Sequence, residues 1–145
     1  QRQSRAGEPV LARAKRLRSA LFGIFSAVAA GNKPAAADLD VLNAEVSASM
    51  SHTCLVRSSD GSAFGWGWSG DGPERVLWPI VRSAADLLTS DTQCKLVREC
   101  GAGECRWLFL DTSKNRSRQW CSMQSCGNRE KARRHYQRVR AKRSA

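Results

Sequence analysis

At 145 residues, with 41% hydrophobic and 26% charged residues, the chain has the length and composition of one folded domain, or of a small domain with an appendage. No stretch approaches the ~18–20 apolar residues of a membrane span, so no membrane partner is expected. The net charge of +11 is unevenly placed: residues 1–94 hold ten Lys/Arg against nine acids, whereas residues 95–145 hold fourteen against four. That asymmetry points the C-terminal third toward a polyanionic partner, with a merely solvated charged tail as the plainer alternative.

In chain order, Pro9 to Ala30 is expected to be a helix. Val10, Ala14, Leu17, Leu21, Ile24 and Val28 recur at helical spacing, with Pro9 suited to the first turn and Gly31 to the stop. Leu21–Ala30 follows Arg13, Lys15, Arg16 and Arg18 in the manner of a signal peptide, but Gly23 and the lack of a cleavage site argue against one; the expectation is a cytoplasmic protein. After an Asn-Lys-Pro link, a second helix over about Ala35–Ser49 buries Leu39, Leu42 and Val46 and should pack antiparallel on the first.

The period then changes to that of a hairpin. Thr53–Arg57 is a strand, Asp60-Gly61 a turn signal, and Phe64, Trp66 and Trp68 alternate with Gly65 and Gly67 in a second strand. Its aromatic face suits either a ligand cleft or packing against the helices, and packing is the expectation. Val76–Thr89 forms a third helix burying Leu77, Val81, Ala84 and Leu88, in which Pro79 is either a kink or the first turn.

From Lys95 the composition differs. Cys100-x4-Cys105 and Cys121-x4-Cys126 bracket an apolar strand, Arg106–Asp111, a turn, and a returning segment, Ser117–Trp120. Two such pairs supply four thiolates to one Zn2+, and a site closed by four cysteines is structural. Two disulfides, or a four-sulfur iron site, are the alternatives. Cys54 and Cys94 have no partner at ligand spacing. Asn128–Arg143 has no Pro or Gly and should be a helix whose N-terminal end stabilises thiolate, with Arg106, Arg129 and Lys131 near enough to offset the cluster's charge.

On that helix Arg129, Arg133, Tyr136 and Arg140 share one stripe, Arg134 and Arg138 a neighbouring row, and Ala132, His135 and Val139 a less polar stripe suited to packing. Arg129, Lys131, Arg133, Arg134, Arg138 and Arg140, with Arg116 and Arg118 on the preceding turn, are the candidate nucleic-acid contacts. DNA is the expected partner, RNA the alternative, and a redox switch built on the thiolates a further one. There are two histidines, His52 and His135, and no phosphate loop, nucleophile elbow or carboxylate pair, so no enzyme is expected.

Residues Cys105–Arg129, ending in Cys126-Gly127-Asn128-Arg129, resemble the CGNR zinc finger. Leu17-Arg18 through Leu42-Asn43, and Leu77-Trp78-Pro79 through Thr89-Ser90, resemble the ABATE domain that precedes this finger in stress-induced bacterial transcription regulators. The resemblance implies an α+β ABATE-like domain over 1–94, mainly helical with a short β-hairpin. It implies a treble-clef-like finger (knuckle, β-hairpin, basic helix) over 95–145, with DNA binding, Zn2+ and an effector of unknown identity. The family pattern also carries a strand and helical segment ahead of Pro9 with no counterpart in this sequence, which implies an N-terminal domain lacking that part.

Overall fold

The computed structural model describes residues 2–143, with side chains described for 8–143. Helix α1 spans Arg2–Ala29, so it begins well before Pro9, which lies inside it. Proline there removes one backbone bond, but Arg2-Gln3 and Arg5-Ala6 are strong helix formers and carry the helix past it. The C-terminal end is fixed as expected. Gly31 has φ of +71°, its N–H donates to the Val28 carbonyl, and the Asn32 N–H reaches Ala27 at 2.8 Å, the double bond of a glycine-terminated helix.

Helix α2, Ala36–Met50, packs against α1 and is tied to it by Arg13, whose guanidinium donates to both Glu45 oxygens at 3.0 and 2.7 Å. Helix α3, Trp78–Thr89, places Pro79 in its first turn and follows a short 3-10 turn, Pro73–Val76. Leu17, Ile24, Leu42, Leu77, Val81 and Ala84 form the buried core of this three-helix unit, with Leu39, Val46 and Leu88 partly buried around them. The three apolar stripes thus meet where their helical spacing directs them.

Strands β1, Thr53–Arg57, and β2, Phe64–Trp68, form an antiparallel hairpin in which Leu55 opposes Trp66 and Arg57 opposes Phe64. Its aromatic face does not pack into the core, contrary to the expectation from alternation. Phe64 is 68% exposed and Trp66 49%. The helices already fill the core, and arginines take the rings instead: Arg57 stands 5.3 Å over Phe64 and Arg82 of α3 stands 4.3 Å over Trp66. The hairpin is anchored at its base, where His52 stacks at 4.3 Å on the buried Trp78.

Strands β3, Val97–Glu99, and β4, Leu108–Leu110, make a second antiparallel hairpin, with Val97 opposite Leu110, and this hairpin lies against α1. The expected pairing of 106–111 with the Ser117–Trp120 return is therefore replaced by pairing with a strand just ahead of Cys100. The return segment contributes a single backbone bond, Gly101 N–H to the Gln119 carbonyl at 2.9 Å, because side-chain anchors and a positive φ at Arg116 keep 111–119 irregular. A π-type turn, Met123–Gly127, leads into α4, Asn128–Arg143. No helix among the described residues is long and apolar enough to cross a membrane.

Candidate metal centre

The β3–β4 hairpin encloses a knuckle that supplies the first two sulfurs. The Cys100 N–H donates to the Trp107 carbonyl and the Cys105 N–H to Ala102, both at 2.9 Å, and Arg106 turns the chain with φ of +49°. The second pair comes from the irregular return and the turn before α4, where the Ser122 side chain caps by accepting from the Ser125 N–H. All four Sγ atoms of Cys100, Cys105, Cys121 and Cys126 lie within 4.8 Å of one another. Cys105 and Cys121 are 3.5 Å apart, and Cys121 and Cys126 3.7 Å. A tetrahedral Zn–S bond of about 2.3 Å demands sulfur–sulfur edges of about 3.8 Å, so the donor set and its spacing fit a single four-coordinate cation. A disulfide needs about 2.05 Å, and all six cysteines are free thiols.

The electrostatics explain why a cation belongs here. Burial opposes ionisation of Cys100, but amide hydrogen bonds involving Cys121 and Ala102, with its Cys121 and Cys105 neighbours, outweigh it and bring the thiol down to about 7. Burial, then the surrounding cysteines, push Cys121 up to about 12, and its neighbour Cys105 raises Cys126 as well. Four sulfurs this close cannot all ionise alone; a divalent cation at their centre removes the conflict. Of the three cations expected to offset the cluster, Arg129 reaches toward the Cys126 sulfur at 3.8 Å. Arg106 instead donates to Glu99 at 3.1 Å and lies 5.0 Å from the Phe22 ring of α1.

Several residues that hold the four-cysteine cluster in place went unread in the sequence. Asp111, fully buried, accepts from the Ser113 N–H at 3.0 Å, the Ser113 hydroxyl at 2.5 Å and the Arg118 N–H at 3.0 Å. Its carboxylate thereby staples both ends of the 111–118 turn. The Asp-Thr-Ser after an apolar run is the one sequence sign of it, an acid poised to hydrogen-bond its own backbone two residues on. Chiefly through the Ser113 hydroxyl, and against burial, Asp111 is held below the ordinary carboxylate range. A depressed carboxylate stabilises the fold above its unfolded value of about 4, and that contribution fades as pH falls through the lower folded value. In urea titrations the stability gap between wild type and Asp111→Asn should therefore be constant from about pH 5 to 8 and shrink below about pH 4; a gap independent of pH would show that the carboxylate's charge is irrelevant.

Trp120 is a second such residue. It sits between Gly101 and Gly127: a Cβ on Gly101 would come within 3.2 Å of its ring, and one on Gly127 within 3.0 Å of it and 2.4 Å of the Met123 sulfur. An alanine after Cys126 would press on the Trp120 ring, whereas the exposed Met123 side chain can swing away from it. We expect Gly127→Ala to lower the stability of the metal-loaded protein by about 1–3 kcal/mol, the usual cost of overpacking, read as a fall in the urea midpoint.

The basic candidates divide by environment. Arg118 is exposed but lies back along the module, donating to the Trp120 carbonyl at 2.8 Å and to the Cys121 carbonyl, with its guanidinium 4.7 Å over Phe109. Arg133 pairs at 3.0 Å with the buried Glu130, Arg134 lies 5.9 Å from the Trp120 ring, and Arg138 donates to the Arg134 carbonyl at 3.3 Å. Arg116 and Lys131 are exposed, and Arg129 and Arg140 lie on the same exposed helix. The less polar stripe of Ala132, His135 and Val139 does not pack on the hairpin, because every residue from Lys131 to Arg143 is exposed.

Comparison with known families agrees with this architecture. Residues 97–139 match the CGNR zinc finger, and residues 1–91 match ABATE, described as "Putative stress-induced transcription regulator". No curated protein matches the chain. With the family match covering well over half of its length, and the finger's four cysteines gathered at one point, the chain belongs to the ABATE family and carries a CGNR zinc finger at its C-terminal end.

Proposed function

We propose that the protein is a DNA-binding transcription regulator, not an enzyme, in which a structural Zn2+ on Cys100, Cys105, Cys121 and Cys126 fixes the base of α4 and α4 engages the duplex. The observation that carries this reading is α4 itself. After the buried Glu130 it presents Lys131, Arg133, Arg134, Arg138, Arg140, Lys142 and Arg143 without one acid, exposed on every side. A helix polar all round gains nothing from a core, and 16 residues alone are marginal in water. A polyanion neutralises the repulsion along it, and the width of the B-form major groove admits one helix. The family description supports a regulatory role, and a response to stress belongs to the same proposal.

Zinc is the favoured cation because it accepts four thiolates tetrahedrally without redox chemistry. The helical turn at Met123–Gly127 and the Ser122 cap hold Cys126 rigidly, so the metal sets the direction in which α4 leaves the module.

Fluorescence anisotropy with a labelled duplex, competed at fixed salt by unlabelled duplex DNA and by structured RNA of equal length, tests the reading. DNA is expected to displace the label at least tenfold more effectively. Equal or better competition by the RNA would transfer the proposal to an RNA partner, whose deep, narrow A-form major groove side chains cannot read.

A further inference from the structure

We propose that the less polar stripe of α4, Ala132, His135 and Val139, lies on the floor of the DNA major groove, where Ala132 and Val139 take thymine methyl groups. The inference rests on the reading of α4 as a duplex-binding helix and adds what that helix reads. Glu130 is buried and Arg134 lies 5.9 Å from the Trp120 ring, so the side of α4 that carries these two residues faces the metal module. At about 3.6 residues per turn, Ala132 and Val139 fall about half a turn round the helix from Glu130, on the side turned away from the module. All three residues of the stripe are exposed, and Val139 keeps 37% of its surface open.

The flanks of the stripe identify its occupant. Helical spacing sets Arg133 and Arg140 along one side of it, and Lys131, Arg138 and Lys142 along the other. Two aliphatic side chains between two cationic rows match no uniform phosphate surface, which would call for cations at the centre of contact. The B-form major groove has the required order: a phosphate backbone on each wall, and between them base edges on which thymine presents its C5 methyl. The groove is about 12 Å wide and a helix with its side chains about 10–12 Å across, so both cationic rows reach phosphates while the middle reaches bases. Ala132 is small enough to let the backbone approach, and the Val139 methyls supply the apolar contact. A second copy of α4 is a poor occupant. It would set these cationic rows against their own kind, and two small apolar side chains do little to offset that repulsion.

The metal-loaded full chain is titrated by fluorescence anisotropy against two alternating duplexes of equal length, adenine–thymine and adenine–uracil, which differ only in the C5 methyl. Burying one methyl is worth roughly fourfold in affinity, so two contacts should favour the thymine duplex by about tenfold. Val139→Ala keeps the charge and strengthens the helix; it should cut the preference to roughly fourfold and leave the salt slope unchanged. Val139→Ile should retain the full preference. Equal affinity of the wild type for the two duplexes, with a normal salt slope, would overturn the proposal and leave DNA binding standing. Failure to bind either duplex would remove DNA binding and this inference together. A preference that Val139→Ala keeps in full would also overturn it, since the methyls would then be read elsewhere. So would a DNA-free dimer in sedimentation that Val139→Glu dissolves, which would give the stripe to a second copy.

Discussion

Chelating the metal, or replacing Cys126 with serine, is expected to unfold the knuckle and the base of α4 while the three-helix core stays folded. The reason lies in how the two clusters are made. The core of α1–α3 is built from Leu, Ile, Val and Ala and needs no metal. The cluster of the C-terminal module consists of Cys100, Ala102 and Cys126, flanked by Cys105, Phe109, Trp120 and Cys121, so four of its seven members are the proposed ligands themselves. Without the cation these become thiols around a void, and a module of this size cannot bury enough apolar surface to compensate. Structural zinc in small modules contributes about 10–16 kcal/mol of apparent binding free energy near pH 7, far more than any side-chain contact here can replace.

The measurement is a pair of amide NMR spectra, with and without chelator, alongside elemental analysis expected to give one zinc per chain. Amides of residues 100–107 and 111–126 should collapse to narrow dispersion, and those of α2 and α3 should hold their positions. The β3–β4 ladder, leaning on α1, should persist longest within the module. A metal-free protein whose knuckle amides remain dispersed would mean that packing of Trp120 and the Asp111 staple suffices, and the metal would lose its structural role.

How much of this was legible in the sequence depended on whether the signal was local. Helical spacing placed the cores of α1–α3 because each apolar stripe carries its own period, and Gly31 marked the end of α1 because only a left-handed residue closes that double hydrogen bond. The gathering of the four cysteines was legible because a shared cation would force close pairs. What failed was non-local. Alternation in Phe64–Trp68 identifies a strand but not what covers it, and arginines from β1 and α3 took the rings that a core was expected to take. The partner of β4 was likewise misassigned: Val97–Glu99 is only three residues long, too short to announce itself as a strand. Charge counting found the basic helix but could not separate Arg118, braced against backbone carbonyls, from the outward cations of α4.

That separation decides which substitutions test nucleic-acid binding cleanly. Lys131→Gln with Arg138→Gln removes two exposed charges, keeps helix propensity and leaves the metal site and Glu130 untouched. If both side chains meet phosphates, the slope of log K against log salt should fall in magnitude by about 2, and affinity at physiological salt should drop roughly tenfold or more. Arg133→Ala is a poorer test, because it also strips the buried Glu130 of its cation and disturbs the first turn of α4. Arg118→Ala should do the reverse of the double variant: it frees the Trp120 and Cys121 carbonyls and loosens the metal site, but leaves the salt slope of the folded, metal-loaded fraction unchanged. A double variant that binds duplex with unaltered slope would take α4 out of the interface. A loss of slope in Arg118→Ala would place the contact surface on the 111–118 turn, where Arg116 is exposed as well.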